Sequence, residues 1–195
     1  MKFEVKKTEW EYKGFFNFKK LSVDYETFEG GTKTANVEYF DRGDSAAILI
    51  FEKDTNSILL TNQFRYPTTK NDSGWLEEIV AGRIEESETP ENSIKREIEE
   101  EIGYEVFEVT SIGNYYLSPG GTTERIFLFY AEVNEANKTL QGGGKLEENE
   151  NIKLIKRTPL EMKENLESNK IKDAKTAIAI SWFVSNKMNT GHNNI

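Results

Sequence analysis

The sequence contains no cysteine and a single histidine, His192, in a polar tail. The first absence excludes disulfides, thiolate nucleophiles and Cys-ligated zinc; the second excludes His-based catalytic triads and multi-histidine metal sites. Long apolar runs are missing as well. The longest, Ala46 to Phe51, falls far short of what a bilayer requires. The opening MKFEVKKTEWEYK has no apolar stretch of signal-peptide length, so a cytoplasmic protein with no membrane partner is expected. Positive charge is in deficit: 25 Lys and Arg face 34 Asp and Glu, a formal net charge of −9. That sign opposes general attraction to a polyphosphate backbone, so nucleic acid is not an expected partner. An acidic chain that nevertheless handles phosphate needs bound cations or a local basic cluster.

What is present is globular. The 195 residues, 36% hydrophobic and 12% aromatic, suffice for one sizeable core and one active site. Residues 16–40 alternate β-formers (Phe16, Phe18, Leu21, Val23, Tyr25), turn at Glu29-Gly30-Gly31 and extend again to Tyr39-Phe40, which predicts a hairpin. Because this segment precedes the denser apolar region, it is expected to form an arm that pairs outside the main core and dimerises by exchange. Ala46–Phe51, Ile58–Phe64 and Trp75–Val80 read as three strands, and Val106–Leu117, Ile126–Val133 and Ile152–Lys156 as three more. Between the two sets the period changes. Thr89 suits an N-cap, Pro90 the first helical position and Gly103 a C-cap, around Ile94, Ile98 and Ile102 at four-residue spacing. Thr158-Pro159-Leu160-Glu161 has capping-box spacing, and Asp173 opens an apolar helix through Ala177, Ile178, Trp182 and Phe183. Helices covering a mixed sheet, an α+β class, follow. The expected boundaries are an arm at 1–42, a catalytic domain at 43–187 and a flexible tail at 188–195.

Eight glutamates lie between Glu85 and Glu101, which base rates assign to a solvated helix face. A helical wheel at about 100° per residue separates them. Ile94, Ile98 and Ile102 form a core-facing stripe, Glu97 and Glu101 border it, and Glu100 lies further round on the same side. Glu99 faces the other way, toward solvent. Three carboxylates converging beside a buried face repel one another, and a hard divalent cation such as Mg²⁺, completing its shell with water and phosphate oxygens, is the natural compensation. Arg96, four residues before Glu100, is placed to hold that carboxylate.

Residues 82–104, Gly82-Arg83-Ile84-Glu85-Glu86-Ser87-Glu88, seven residues, then Arg96-Glu97-Ile98-Glu99-Glu100-Glu101-Ile102-Gly103-Tyr104, resemble the Nudix box at every defined position. The resemblance extends over about residues 14–185 to the nucleoside-diphosphate-sugar pyrophosphatases of that superfamily. It is carried by Gly14-Phe15-Phe16, Phe40-Asp41-Arg42-Gly43, Gln63-Phe64-Arg65, Val80-Ala81-Gly82, Ser118-Pro119-Gly120-Gly121-Thr122-Thr123-Glu124-Arg125 and Glu148-Asn149-Glu150-Asn151-Ile152. It implies a Nudix α/β/α sandwich, a Mg²⁺- or Mn²⁺-dependent cleavage of a diphosphate linkage, and a homodimer with a swapped N-terminal arm. By the same likeness the Ala81 carbonyl, Glu97 and Glu101 ligate metal, Glu100 supports a metal or water, and Arg96 orients the glutamates. Glu148 is implied as general base with Glu150 as its metal-side partner, on a loop whose preceding glycines suit a mobile lid.

Substrate contacts are implied at Glu38, Gly82, Arg83 and Glu124, at Arg65 for the diphosphate, and at Lys175. Phe15 or Phe16 is placed to stack a base. One position departs: where relatives carry a basic residue from the arm near the base, this chain has Val37 after Asn36. Ser118–Arg125 looks more like the ADP-ribose group, whereas Gly142–Gly144 and Asp173-Ala174-Lys175-Thr176 look more like the GDP-mannose group. ADP-ribose is the leading expectation, GDP-mannose the alternative. Two rivals from other classes are a non-catalytic nucleotide-sugar sensor and a structural Ca²⁺ site. The first is disfavoured by the complete carboxylate set and the second by the lack of a 12-residue alternating oxygen loop.

Overall fold

The computed structural model describes residues 1–14, 16–145 and 150–188. Two compact units emerge: Met1–Asp44 with Tyr116–Arg125, and Ser45–Tyr115 with the chain from Ile126 onward. The expected tail lies, apart from Met188, outside the described residues.

The first unit is built on an antiparallel sheet of β1 (Phe3–Lys13), β2 (Asn17–Glu26) and β3 (Thr32–Asp41), in the order β1-β2-β3. The β2–β3 hairpin has the expected alternation, with Leu21 opposite Val37 and Phe18 opposite Phe40. Its turn uses Gly30 and Gly31 at φ +80° and +103°, a region that side chains with a Cβ rarely adopt. β1 is a finding of the structure. Its residues, charged ones interleaved with Phe3, Val5, Trp10 and Tyr12, are all exposed and carry no buried face, so no pattern of burial marks it in the sequence. Within this unit Gly121 and Thr123 bond to Phe40 through the backbone, and Arg125 grips Asp44 through Nε (3.2 Å) and Nη2 (2.6 Å).

The second unit is a seven-stranded mixed sheet between helices. Its path is β10 (Lys153–Arg157), β5 (Ser57–Phe64), β4 (Ser45–Glu52), β9 (Arg125–Val133) and β8 (Thr110–Tyr116), with β6 (Trp75–Glu78) on β5 and β7 (Val80–Arg83) on β4. β4 and β9 run parallel, while β4 is antiparallel to β5 and β7. Ala46 to Ile50 of β4 are wholly buried because the strand is covered on both faces. Ala46, Ile48 and Ile50 pack with Ile94, Ile98 and Ile102 of α1 (Pro90–Ile102). Ala47 and Leu49 pack on the other face with Met162 of α2 (Pro159–Glu167) and with Ala179, Ile180 and Phe183 of α3 (Ala174–Phe183). Period-2 alternation in one strand thus meets two helical layers.

Two boundaries differ from expectation. The Trp75–Val80 strand is two strands, because the Ile79 amide donates to the Thr176 hydroxyl at the start of α3 (3.0 Å), and the chain then passes from β5 to β4. The strand expected from Val106 begins at Thr110; Tyr104, buried in the core, donates its hydroxyl to Glu52 (2.5 Å). Among the described residues no helix is long and apolar enough to cross a membrane.

Candidate active site

Helix α1 builds the site. Thr89 accepts from the Asn92 amide, Pro90 opens the first turn, and Gly103 closes the last at φ +76°, donating to the Ile98 and Glu99 carbonyls. A Cβ on Gly103 would stand 2.1 Å from the Leu140 carbonyl oxygen, so the close approach of that chain also demands glycine. Burial of the three isoleucines, each contributing about 1.5–3 kcal/mol, fixes the helix rotation and thereby the acidic edge.

On that edge Arg96 is the organising cation. It donates through Nε and Nη2 to Glu88 (3.0 and 3.1 Å), and through Nη1 to Glu97 (2.9 Å) and Glu100 (3.0 Å). The Arg83 carbonyl accepts from Arg96 Nη2 (3.3 Å) and from the Ser93 hydroxyl (3.1 Å), tying helix to strand. The hydrogen bonds from the Arg96 guanidinium hold the Glu88 carboxyl down at about 2. Glu100 also meets Lys145 (2.8 Å), a residue with no distinctive sequence signal. Glu99 is exposed, as the wheel requires.

Glu97 lies flat against Gly82, where a Cβ would come within 1.9 Å of its carboxyl carbon. Burial raises its pKa to about 7, although Arg96 pulls the other way. Glu101 is buried, and its Oε2 has no hydrogen-bond partner among the described residues. Burial first, then the charges of Glu97 and Glu150, push its pKa well up, with Arg65 opposing and Glu78 adding to the rise. A buried carboxylate oxygen without a donor, beside a second desolvated carboxylate, fits a hard divalent cation. Among the described residues no three carboxylates are already gathered into a metal cage.

The glycine stretch is anchored on the end of α1: Gly143 and Gly144 donate to the Glu101 and Glu100 carbonyls (2.9 and 3.0 Å). All three glycines have positive φ, and a Cβ on Gly142 would meet the Ile102 backbone at 2.6 Å. Glu150, just beyond, accepts from the Lys145 amide (2.9 Å) and is close enough for its charge to act on Glu97 and Glu101. Glu148, the expected base, and Phe15 lie outside the described residues.

The other expected contacts divide between the units. In the second, Ala81 lies opposite Ala47 in β7, Arg83 is exposed at that strand's end, and Arg65 follows β5. Arg65 donates Nε to Glu78 Oε2 (2.8 Å), while Lys175 is buried and paired with Glu78 Oε1 and with Asp173 (2.9 Å). Glu78 was not expected; the acidic pair Glu77-Glu78 inside an otherwise apolar strand was the available signal. In the first unit Glu38 is exposed and pairs with Lys20 (3.3 Å), and Glu124 is buried against Arg42 (3.5 Å), whose guanidinium lies over the Phe16 ring.

The NUDIX domain profile matches residues 41–175. The chain belongs to the Nudix family. Among curated Nudix relatives, the GDP-mannose pyrophosphatase of Pectobacterium atrosepticum is 37% identical over 177 residues, covering 87% of this chain and 90% of the relative. That of Citrobacter koseri is 32% identical over 176 residues, covering 89% and 91%. A crystal structure described as an ADP compounds hydrolase superposes with a TM-score of 0.72 over 96% of this chain and 97% of its own. At 15% identity it shows a shared Nudix fold and no more.

Proposed function

We propose that this Nudix protein hydrolyses the pyrophosphate bond of a nucleoside diphosphate sugar in a Mg²⁺-dependent reaction, releasing a nucleoside monophosphate and a sugar phosphate. The observation that carries the reading is the buried Glu101 Oε2, without a partner among the described residues, beside Glu97 on the α1 edge. Glu97, Glu101 and the Ala81 carbonyl would hold the metal, with Glu150 at its margin. Bound there, Mg²⁺ supplies charge neutralisation of the diphosphate and a lowered pKa for the attacking water. Arg96 holds the Glu97 and Glu100 carboxylates correctly turned, and Gly82 lets the Glu97 carboxylate lie against the strand. Arg65, held among the described residues by Nε alone, offers its terminal nitrogens to diphosphate oxygens. Glu148 takes the proton of the attacking water, whose oxygen forms the new P–O bond as the bridging P–O bond breaks.

GDP-mannose is the first substrate to test, since relatives at 32% and 37% identity are named for it. ADP-ribose, which Ser118–Arg125 favours by resemblance, is second. The enzyme is proposed to act in the cytoplasm as a homodimer in which the 1–42 arm of one copy serves the other. Phosphatase-coupled hydrolysis of GDP-mannose, ADP-ribose, ADP-glucose, UDP-glucose and a nucleoside triphosphate, each with Mg²⁺ and with EDTA, tests it. Metal-dependent release from a diphosphate sugar is expected. Tight binding of these ligands without turnover would instead mark a sensor.

A further inference from the structure

Lys175 looks, by position, like a side chain that reaches substrate, yet its ammonium is spent inside the protein. It bonds Glu78 Oε1 and Asp173 Oδ1, and only 8% of the residue is exposed. Glu78 is buried at the end of β6, and its second oxygen accepts from Arg65 Nε (2.8 Å). Asp173 in turn caps α3, accepting from the Thr176 amide (2.9 Å) and hydroxyl (2.6 Å). The cluster therefore joins the end of β5, the end of β6 and the start of α3, with two cations balancing two carboxylates. It lies close enough to the carboxylate edge that the charges of Arg65 and Glu78 both act on Glu101.

A carboxylate next to a guanidinium tends toward a two-pronged grip, one oxygen on Nε and the other on a terminal nitrogen. Here that grip is absent among the described residues: Glu78 Oε1 is turned to Lys175 and Oε2 to Arg65 Nε. Arg65 is left with Nε bound and no hydrogen bond to its terminal nitrogens among the described residues, on a side chain that is 41% exposed. We propose that Lys175 is a positioning residue: by drawing one oxygen of Glu78 toward α3 it turns that carboxylate so that only the other oxygen meets Arg65, at Nε, and leaves the terminal nitrogens of Arg65 turned outward for the diphosphate. This deepens the function proposed above and rests on it. Without Lys175, Glu78 holds a buried oxygen with no donor, and the fork of Arg65 is the nearest group able to satisfy it.

The test compares wild type with Lys175→Met in hydrolysis of GDP-mannose, together with inhibition by GDP, which has the diphosphate and no sugar. The expected result is a KM raised roughly tenfold, in the range typical of losing a group that orients a ligand-binding side chain, with a smaller change in kcat. The inhibition constant of GDP should rise by the same factor. In an Arg65→Lys background, which has no fork to misdirect, Lys175→Met should add little, so the double-mutant cycle is strongly non-additive. Should Lys175→Met not fold, Glu78→Gln carries the test, with the same rise expected. An unchanged KM, or a raised KM with unchanged GDP inhibition, overturns the proposal, the latter by showing a direct sugar contact. A wild-type enzyme that cleaves no diphosphate sugar overturns the proposed function and this role with it.

Discussion

At the scale of single residues, the proposed chemistry gathers on two carboxylates that the fold makes uncomfortable. Burial raises Glu97 from near 4.5 to about 7 and Glu101 well above 4.5. A carboxyl whose folded pKa exceeds its unfolded value binds protons more tightly when folded, so its contribution to stability falls as pH rises from about 4.5 to 7 and stays low above that. Glu101→Gln removes the buried charge. Without metal, this variant should melt above wild type at pH 8, and the gap should narrow as pH falls toward 4.5; thermal melts across that range check it. An equal gap at every pH would contradict the assignment of Glu101 as a destabilised carboxylate. Adding Mg²⁺ at pH 8 should raise the melting temperature of wild type and not of Glu101→Gln.

At the scale of elements, α1 and the strand that faces it form the working part. Ile98→Ala, at a fully buried position, should cost about 2–5 kcal/mol in denaturant unfolding. Gly82→Ala should be far milder for folding and harsher for turnover, because the displaced atom is the Glu97 carboxyl. A loss of about 10–100-fold in activity with a nearly unchanged melting temperature is expected. Much of this element was legible in advance. Thr89, Pro90, the isoleucine period and Gly103 each state a local preference, and all agree with the packing. The break at Ile79 was not legible, since it depends on a hydroxyl 97 residues away in α3. Lys175 was visible as a residue of interest, but its burial against Glu78 follows from the meeting of three distant elements, which no local pattern records.

At the scale of the whole molecule, the alternation of β4 between two helical layers was implicit in a continuous apolar run, whereas β1 was hidden by its lack of a buried face. The first unit leaves Phe3, Trp10, Tyr12 and Phe28 exposed. Exposed apolar residues on an open sheet mark an interaction surface, and a second copy of the chain is the proposed occupant. Light scattering at micromolar concentration should give the mass of a dimer; a monomer would contradict the exchanged arm. The central claim, that the α1 carboxylate edge holds the cation for pyrophosphate cleavage, is tested most directly by the initial rate of GDP-mannose hydrolysis against free Mg²⁺, for wild type and Glu101→Gln. The account predicts a saturable Mg²⁺ dependence in wild type and a rate at least about 100-fold lower in the variant, since several kcal/mol of metal-derived stabilisation are withdrawn. Equal rates at saturating Mg²⁺ would contradict it.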